Sequence, residues 1–265
     1  MPIVHIIVLA LVQGLTEFLP VSSSAHLILA GRALGWQDQG LIFDVATHLG
    51  TLLAVVVFFR QELLAMLQSF TAPAHNEAGR QNRSMVLYLA LASIPALAVG
   101  AMAHDLVEHM LRDVRVISLT TVGFGLILWW ADAVGGRMRD LPGMDLRSAL
   151  LIGLAQMLAL VPGVSRSGIT ITAGRFLGFS PDAAARFSFL LAIPVIGAAG
   201  AYGTLRVASG EAPIDWSQFG MAVAFAALAG WLCIAAFLAV LQKIGLFPFV
   251  LYRLVLGFVL FWFVF

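Results

Sequence analysis

Apolar runs of bilayer length alternate along this chain with short polar connections. Six of them predict spanning helices, at about 41–59, 84–103, 115–132, 184–206, 216–241 and 247–265. Residues 84–103, 116–131, 187–205 and 216–242 hold no Asp, Glu, Lys or Arg. Two further stretches, about 2–35 and 147–178, are apolar but interrupted. The first breaks at Leu19-Pro20-Val21-Ser22-Ser23-Ser24 and the second at Val161-Pro162-Gly163-Val164-Ser165-Arg166-Ser167-Gly168. Proline removes a helix donor, and Ser and Gly favour turns and caps. Broken backbone at membrane depth must be covered by protein or line a cavity. Each interrupted stretch therefore predicts a re-entrant helix–loop–helix hairpin with its loop aimed at a site.

The two interrupted stretches resemble each other. A shift of 143 residues, the separation of Val21 from Val164, aligns them without a gap. Leu11, Gln13 and Leu15 meet Leu154, Gln156 and Leu158; Ser22 and Ser24 meet Ser165 and Ser167. Ile28, Ala30, Gly31 and Arg32 meet Ile171, Ala173, Gly174 and Arg175. Each unit is then one hairpin and three spanning helices. Three is odd, so the second unit sits upside down. The expectation is one all-α polytopic membrane domain over 1–265, with inverted repeats at roughly 1–133 and 147–265 and a site between them.

Composition supports a lipid-facing surface. Of 265 residues, 61% are hydrophobic and 11% charged, against about 25% charged in a soluble domain. Mean hydropathy is +0.97. The formal net charge of +1 argues against a nucleic-acid partner. The lone cysteine, Cys233, excludes a disulfide framework and is expected to be a packing residue. No Lys or Arg precedes Arg32, so the first segment is expected to belong to the fold and not to a signal peptide. The connections near 60–83, 133–147 and 242–246 carry Arg60, Arg80, Arg83, Arg137, Arg139, Arg147 and Lys243. The opposite ones, near 104–115 and 206–215, carry Arg112, Arg115 and Arg206. The positive-inside rule places the first set in the cytoplasm. Both termini and the mouth of the first hairpin then face the periplasm or cell exterior.

Candidate chemistry concentrates at the two breaks. Glu17 lies in an apolar stretch one helical turn after Gln13; an ionisable group at depth is a functional candidate by default. His26 follows Ser22, Ser23 and Ser24, which predicts a hydroxyl beside an imidazole base. The serines alone would equally serve close helix packing. Arg166 stands between Ser165 and Ser167, with Gly163 and Gly168 nearby. A helix N-terminus and an Arg fork both suit phosphate, though Arg166 paired with Glu17 alone would be merely structural. Thr170 and Thr172, and Asp44, Thr47 and His48, are further polar groups placed to line such a site, whereas Arg32, Arg175 and Arg186 fit structural or electrostatic roles. His5, His75, His104 and His109 resemble ordinary interfacial or loop histidines. No spacing fits zinc; a carboxylate with substrate phosphates would suit Mg²⁺ or Ca²⁺.

At these residues the sequence resembles undecaprenyl-pyrophosphate phosphatase, the bacitracin-resistance protein family. The first motif runs Gln13-Gly14-Leu15-Thr16-Glu17-Phe18-Leu19-Pro20-Val21-Ser22-Ser23-Ser24-Ala25-His26, and the second is Pro162 to Gly168. Likeness extends to Phe187 to Pro194, to Pro248-Phe249 and to Tyr252-Arg253, so it covers essentially the whole chain. The resemblance implies catalytic roles for Glu17, Ser23, His26 and Arg166, with Gln13, Ser22, Ser24, Ser165, Ser167, Gly168 and Thr170 binding substrate. It implies a divalent cation, with Glu17 and Gln13 as its ligands; Gln13 takes a position where the family has Glu or Gln. The expected partners are a polyprenyl pyrophosphate and membrane lipids, in the cell inner membrane, with the site open to the periplasm. The sequence leaves open whether copies associate as a homo-oligomer. It lacks the pattern of the other membrane lipid-phosphatase class: Lys243 is the only Lys, and no His follows Arg166. The rival reading is an inverted-repeat transporter or flippase of a phosphorylated lipid or small anion. It would use Arg166 but has little use for a Ser beside a His.

Overall fold

The computed structural model describes residues 2–36, 40–71, 77–102, 113–136, 139–208 and 214–262. Expectations on His75, His104, His109, Arg112, Arg137, the Arg32 side chain and residues 103 and 263–265 lie outside the described residues. Among those described there is no strand, only an isolated bridge between Arg139 and Phe179. The described residues form eleven α-helices in chain order: α1 Ile3–Glu17, α2 Ser23–Leu34, α3 Gly40–Phe58, α4 Arg60–Gln68, α5 Glu77–Met102, α6 Val114–Val134, α7 Leu146–Gln156, α8 Arg166–Phe176, α9 Pro181–Ala208, α10 Trp216–Ile244 and α11 Phe247–Trp262. Five of the described helices, α3, α5, α6, α9 and α10, are long and apolar enough to cross a membrane.

Two differences from the sequence reading have local causes. The predicted span at 84–103 begins earlier, at Glu77, because its charged first turns are helical too; Gln81 donates to Glu77 Oε1 at 3.4 Å on one helix face. The connection after residue 59 contains α4, whose polar sequence hides it from a search for spans. Met66 is buried while Leu64 and Leu67 are exposed, and α4 packs on α5.

Asp113, Asp145 and Asp215 cap α6, α7 and α10 by accepting from the amides of Arg115 (2.7 Å), Ser148 (2.7 Å), and Ser217 and Gln218 (3.0 and 3.2 Å). α1 has 15 residues, about 22 Å of helix, short of a hydrocarbon core of about 30 Å. It stops at Glu17 because Pro20 and the positive φ of Ser22 (72°) turn the chain. In the second hairpin α7 tightens into a 3₁₀ turn, Met157–Leu160, before Pro162, Gly163 and Ser165 (φ 70°) turn it back into α8. Ser22 and Ser165 are the described non-glycine residues at positive φ, and they are related by the same 143-residue shift.

Helix α10 packs against α1 and α3, and α5 packs against α7 and α9; α3 meets α9, and α6 meets α11. Small residues allow the closest approaches, which in lipid replace the hydrophobic drive for association. A Cβ on Gly14 would lie 2.6 Å from Ala226 O, and one on Gly153 would strike the Ala92 backbone. The core centres on Phe18, Phe59, Phe189 and Phe237, whose rings meet edge-on or tilted. It anchors Phe18, next to Glu17, and Phe189, next to Ser188. The packed aromatic core thus lies beside Glu17 of the first break and Ser188, the neighbour of Arg166.

Candidate active site

The loops at 18–22 and 161–165 touch. Ser167 donates to Leu19 O at 2.8 Å, and Gly163 N donates to Ser24 Oγ at 3.4 Å. Each loop is also braced internally. Ser22 and Ser24 hydroxyls lie 3.1 Å apart, and Ser165 and Ser167 3.2 Å apart. Ala25 N donates to Ser22 Oγ (3.4 Å) and Gly168 N to Ser165 Oγ (3.1 Å). These serines, expected from the resemblance to bind substrate, are engaged in holding the loops, and Ser22 and Ser167 are fully buried.

A third element joins the two loops. Arg253 of α11, fully buried, donates to Pro20 O (3.3 Å) in the first loop and to Gly163 O and Val164 O (3.0 Å each) in the second. It also reaches Thr120 O (3.5 Å) and Thr121 O (3.0 Å) of α6. Thr120 Oγ1 in turn donates to Pro162 O at 2.7 Å. Main-chain carbonyls freed by the turns must find donors where water is absent, and one guanidinium with five N–H groups supplies most of them.

At this junction four of the expected residues form one chain of contacts. Glu17 Oε2 accepts from Gln13 Nε2 and from Ser23 Oγ, both at 2.9 Å. Glu17 Oε1 faces Arg166 Nη2 at 3.4 Å, with the two side chains 9% and 11% exposed, so the pair is largely shielded from solvent. Arg166 Nη1 donates to Ser188 O at 3.3 Å. Thr170 Oγ1 donates to Arg166 O at 2.8 Å and lies 2.7 Å from Ser188 Oγ. Arg166 Nε and Gln13 Oε1 are among the buried polar side-chain atoms that have no partner among the described residues. Arg166 also opens α8, where the first amides of a helix have no acceptor of their own. A donor and helix dipole on one side, and a hydroxyl on a carboxylate on the other, suit an anion beside Ser23.

His26 is placed differently from the sequence expectation. Its Nδ1 lies 2.7 Å from Ser22 O, the main-chain oxygen, and its Nε2 lies 2.6 Å from the Tyr252 hydroxyl. Ser23, expected to lean on the imidazole, donates its hydroxyl hydrogen bond to Glu17. Both groups stand at the start of α2, but they meet separate partners. Thr47 and His48 bond back to main-chain carbonyls of α3, Thr172 bonds to Gly168 O, and His5 stacks on Trp36 at 3.8 Å. Arg175 is a buried structural residue. It pairs with Asp132 at 2.8 Å and caps the end of α6 through Gly135 O and Gly136 O. Arg186 bonds Asp182 at 2.9 Å and faces Glu62 at 3.6 Å.

The model of the bacitracin resistance protein BacA matches residues 6–259 of this sequence. The chain belongs to the BacA family. Among its relatives, a protein named undecaprenyl-diphosphatase from Chromohalobacter salexigens is 50% identical over 97% of both chains. One of that name from Alteromonas mediterranea is 48% identical over the full length of both. Undecaprenyl-diphosphatase 1 from Pseudoalteromonas translucida is 48% identical over 97% of both. This BacA-family chain is a multi-pass membrane protein. In it, Tyr252 meets His26 and Arg253 meets both loops, two contacts at the candidate site that the motifs did not point to. The available signal was an Arg inside the apolar run 247–265, a position that by itself marks a candidate.

The divalent cation expected of this BacA-family site can be weighed against the donor set. No group of three His, Cys, Asp or Glu side chains able to hold a metal exists among the described residues. Glu17 and the unpartnered Gln13 Oε1 nevertheless offer two hard oxygen donors side by side. That fits a cation that brings its other ligands as phosphate oxygens and water, as Mg²⁺ commonly does.

Proposed function

We propose that this chain is an integral-membrane phosphatase that hydrolyses undecaprenyl pyrophosphate to undecaprenyl phosphate and inorganic phosphate. The reading returns a lipid carrier to cell-wall synthesis and accounts for bacitracin resistance in the family. The observation that carries it is the Ser23 hydroxyl on Glu17, which itself meets Arg166 from the other loop. A carrier of anions would use Arg166 but has no need of that hydroxyl–carboxylate pair. The names of the relatives point to the same activity.

In this mechanism Ser23 Oγ attacks the terminal phosphorus while Glu17 takes its proton. The Ser23 O–P bond forms, the bridging P–O bond breaks, and undecaprenyl phosphate leaves. Arg166, through Nε and the start of α8, holds the oxygens of the transferring phosphoryl group, where most phosphoryl-transfer catalysis resides. Water then attacks the phosphoseryl phosphorus, His26 Nε2 exchanging its Tyr252 contact for that water and taking its proton. Glu17 returns its proton to Ser23 Oγ as the Ser23 O–P bond breaks and phosphate leaves. Direct attack by His26 is the variant; trapping the phosphoryl adduct on His26 would replace Ser23 as nucleophile. A Mg²⁺ or Ca²⁺ ion held by Glu17 and Gln13 would neutralise pyrophosphate charge.

In the membrane the same reading has six spanning helices, α3, α5, α6, α9, α10 and α11, and two re-entrant hairpins, α1–α2 and α7–α8, in an inverted repeat. Supporting it are the shortness of α1, the shared positive φ of Ser22 and Ser165, and the matching packing of α1 on α10 and α7 on α5. Loop charges orient the site toward the periplasmic side of the inner membrane. The decisive experiment is phosphate release from C55 pyrophosphate by purified protein in detergent with Mg²⁺ or Ca²⁺. Release that Ser23→Ala and Arg166→Ala both abolish supports the reading. A folded wild-type protein with no release in several lipids sinks it and redirects attention to transport in proteoliposomes.

A further inference from the structure

Ser22 decides which imidazole nitrogen of His26 carries the proton, and Tyr252 decides what the other nitrogen meets. Ser22 O, a carbonyl, can only accept, so the 2.7 Å contact requires a proton on Nδ1. In the neutral ring the lone pair is then on Nε2, and the Tyr252 hydroxyl at 2.6 Å is placed to donate to it. The phenol can also accept, so the same contact survives if the ring becomes an imidazolium with a proton on Nε2. The two rings are parallel within 2°, with centroids 5.5 Å apart, and a contact on each nitrogen opposes rotation of the imidazole about χ2. Tyr252 is held on α11 directly beside Arg253, whose guanidinium grips both loops. The partner that orients His26 is therefore tied to the element that brings the two loops together.

We propose that Tyr252 is a positioning residue for His26: with the Nδ1–H tautomer set by Ser22 O, the Tyr252 hydroxyl engages Nε2 and holds the ring in its orientation. The motif carrying His26 supplies the partner of Nδ1 only, and the partner of Nε2 comes from α11. The Glu17 carboxylate is already engaged by Gln13, Ser23 and Arg166. The proposal rests on the phosphatase reading for its kinetic consequence, while its structural half stands apart from it.

The test is Tyr252→Phe, which keeps the ring and removes the hydroxyl. ¹⁵N NMR of histidine-labelled protein in detergent is expected to show the Nδ1–H tautomer at His26 in wild type, identified by its loss in His26→Gln. In Tyr252→Phe the Nδ1–H tautomer is expected to persist, held by Ser22 O, while the Nε2 resonance moves downfield because its lone pair has lost the phenol donor. Phosphate release is expected to lose about tenfold or more in kcat, with KM within about threefold. Replacement of Tyr252 by 3-fluorotyrosine provides a second variant of nearly equal size, expected to keep the hydrogen-bonded Nε2 shift and most of kcat. An unchanged Nε2 shift and kcat in Tyr252→Phe would overturn the proposal, as would a change confined to KM. If Tyr252→Phe fails to fold, a free Nε2 shift in the fluorotyrosine protein overturns it instead. Absence of phosphate release from wild type would defeat the phosphatase reading and leave the Nε2 shift to decide the role of Tyr252.

Discussion

Glu17 takes two hydrogen bonds on one oxygen and faces a guanidinium with the other, with little of either side chain exposed. Such a carboxylate holds its neighbours in register, so small changes there have specific consequences. Glu17→Gln preserves volume but removes the acceptor for the Ser23 proton. Phosphate release is expected to fall about 100-fold or more, with thermal stability little changed; a mutant turning over at the wild-type rate would remove Glu17 from the chemistry. Arg166→Lys keeps the charge but loses the planar fork and Nε. It is expected to cost about 100-fold in kcat, measured in the same assay, and near-normal turnover would mean a point charge suffices. Arg253 stands apart because its partners are carbonyls and no acid. Arg253→Met should orphan several buried carbonyls and cost roughly 3 kcal/mol or more of stability. A thermal midpoint in detergent equal to wild type would show those carbonyls satisfied by other means.

Helices in this molecule meet through small residues, and α6, α7 and α10 start on aspartate caps. Gly153→Leu would force a side chain into the Ala92 backbone and separate α7 from α5; the expected loss is about 1–3 kcal/mol, read as a lowered melting temperature. At the start of α7 the Ser148 amide holds the Asp145 carboxyl below its ordinary range, with Arg139 adding to the effect. A depressed folded-state value means the stabilisation is complete above the unfolded value of about 4 and is lost as pH falls through the folded one. Asp145→Asn retains the cap acceptor without the titration, so its melting temperature should decline less than that of wild type below about pH 4. Equal declines would assign the acid loss to other groups. The helices and both breaks were legible in the sequence because apolar length, proline and glycine act locally. Helix α4 was not, because a short polar helix with one buried face, at Met66, looks like a connection.

The whole molecule sets two loops against one another with α11 across their backs. If the proposed orientation holds, Cys introduced at Ser217 in a Cys233→Ser background should react with an impermeant maleimide from outside intact spheroplasts. Cys introduced at Gln81 or Lys243 should react only after permeabilisation; the opposite pattern would invert the topology and move the site to the cytoplasmic face. At the same scale, chelation by EDTA should abolish phosphate release and Mg²⁺ or Ca²⁺ restore it. Release that persists in EDTA would leave Gln13 Oε1 to a water molecule instead of a cation.

The sequence by itself determined that this is a chain of apolar helices with two interruptions, and that Glu17, Ser23, His26 and Arg166 stand at them. Hydropathy, helix breaking and a 143-residue self-similarity are properties of neighbouring or aligned residues and need no coordinates. The tertiary structure decided the partnerships. Ser23, at the start of α2, binds Glu17 and not His26. His26 binds Tyr252, 226 residues away, and Arg253 bridges loops from both halves. Contacts of that separation follow from which helix packs on which, and in lipid that choice is made by shape and by the need to satisfy every buried carbonyl.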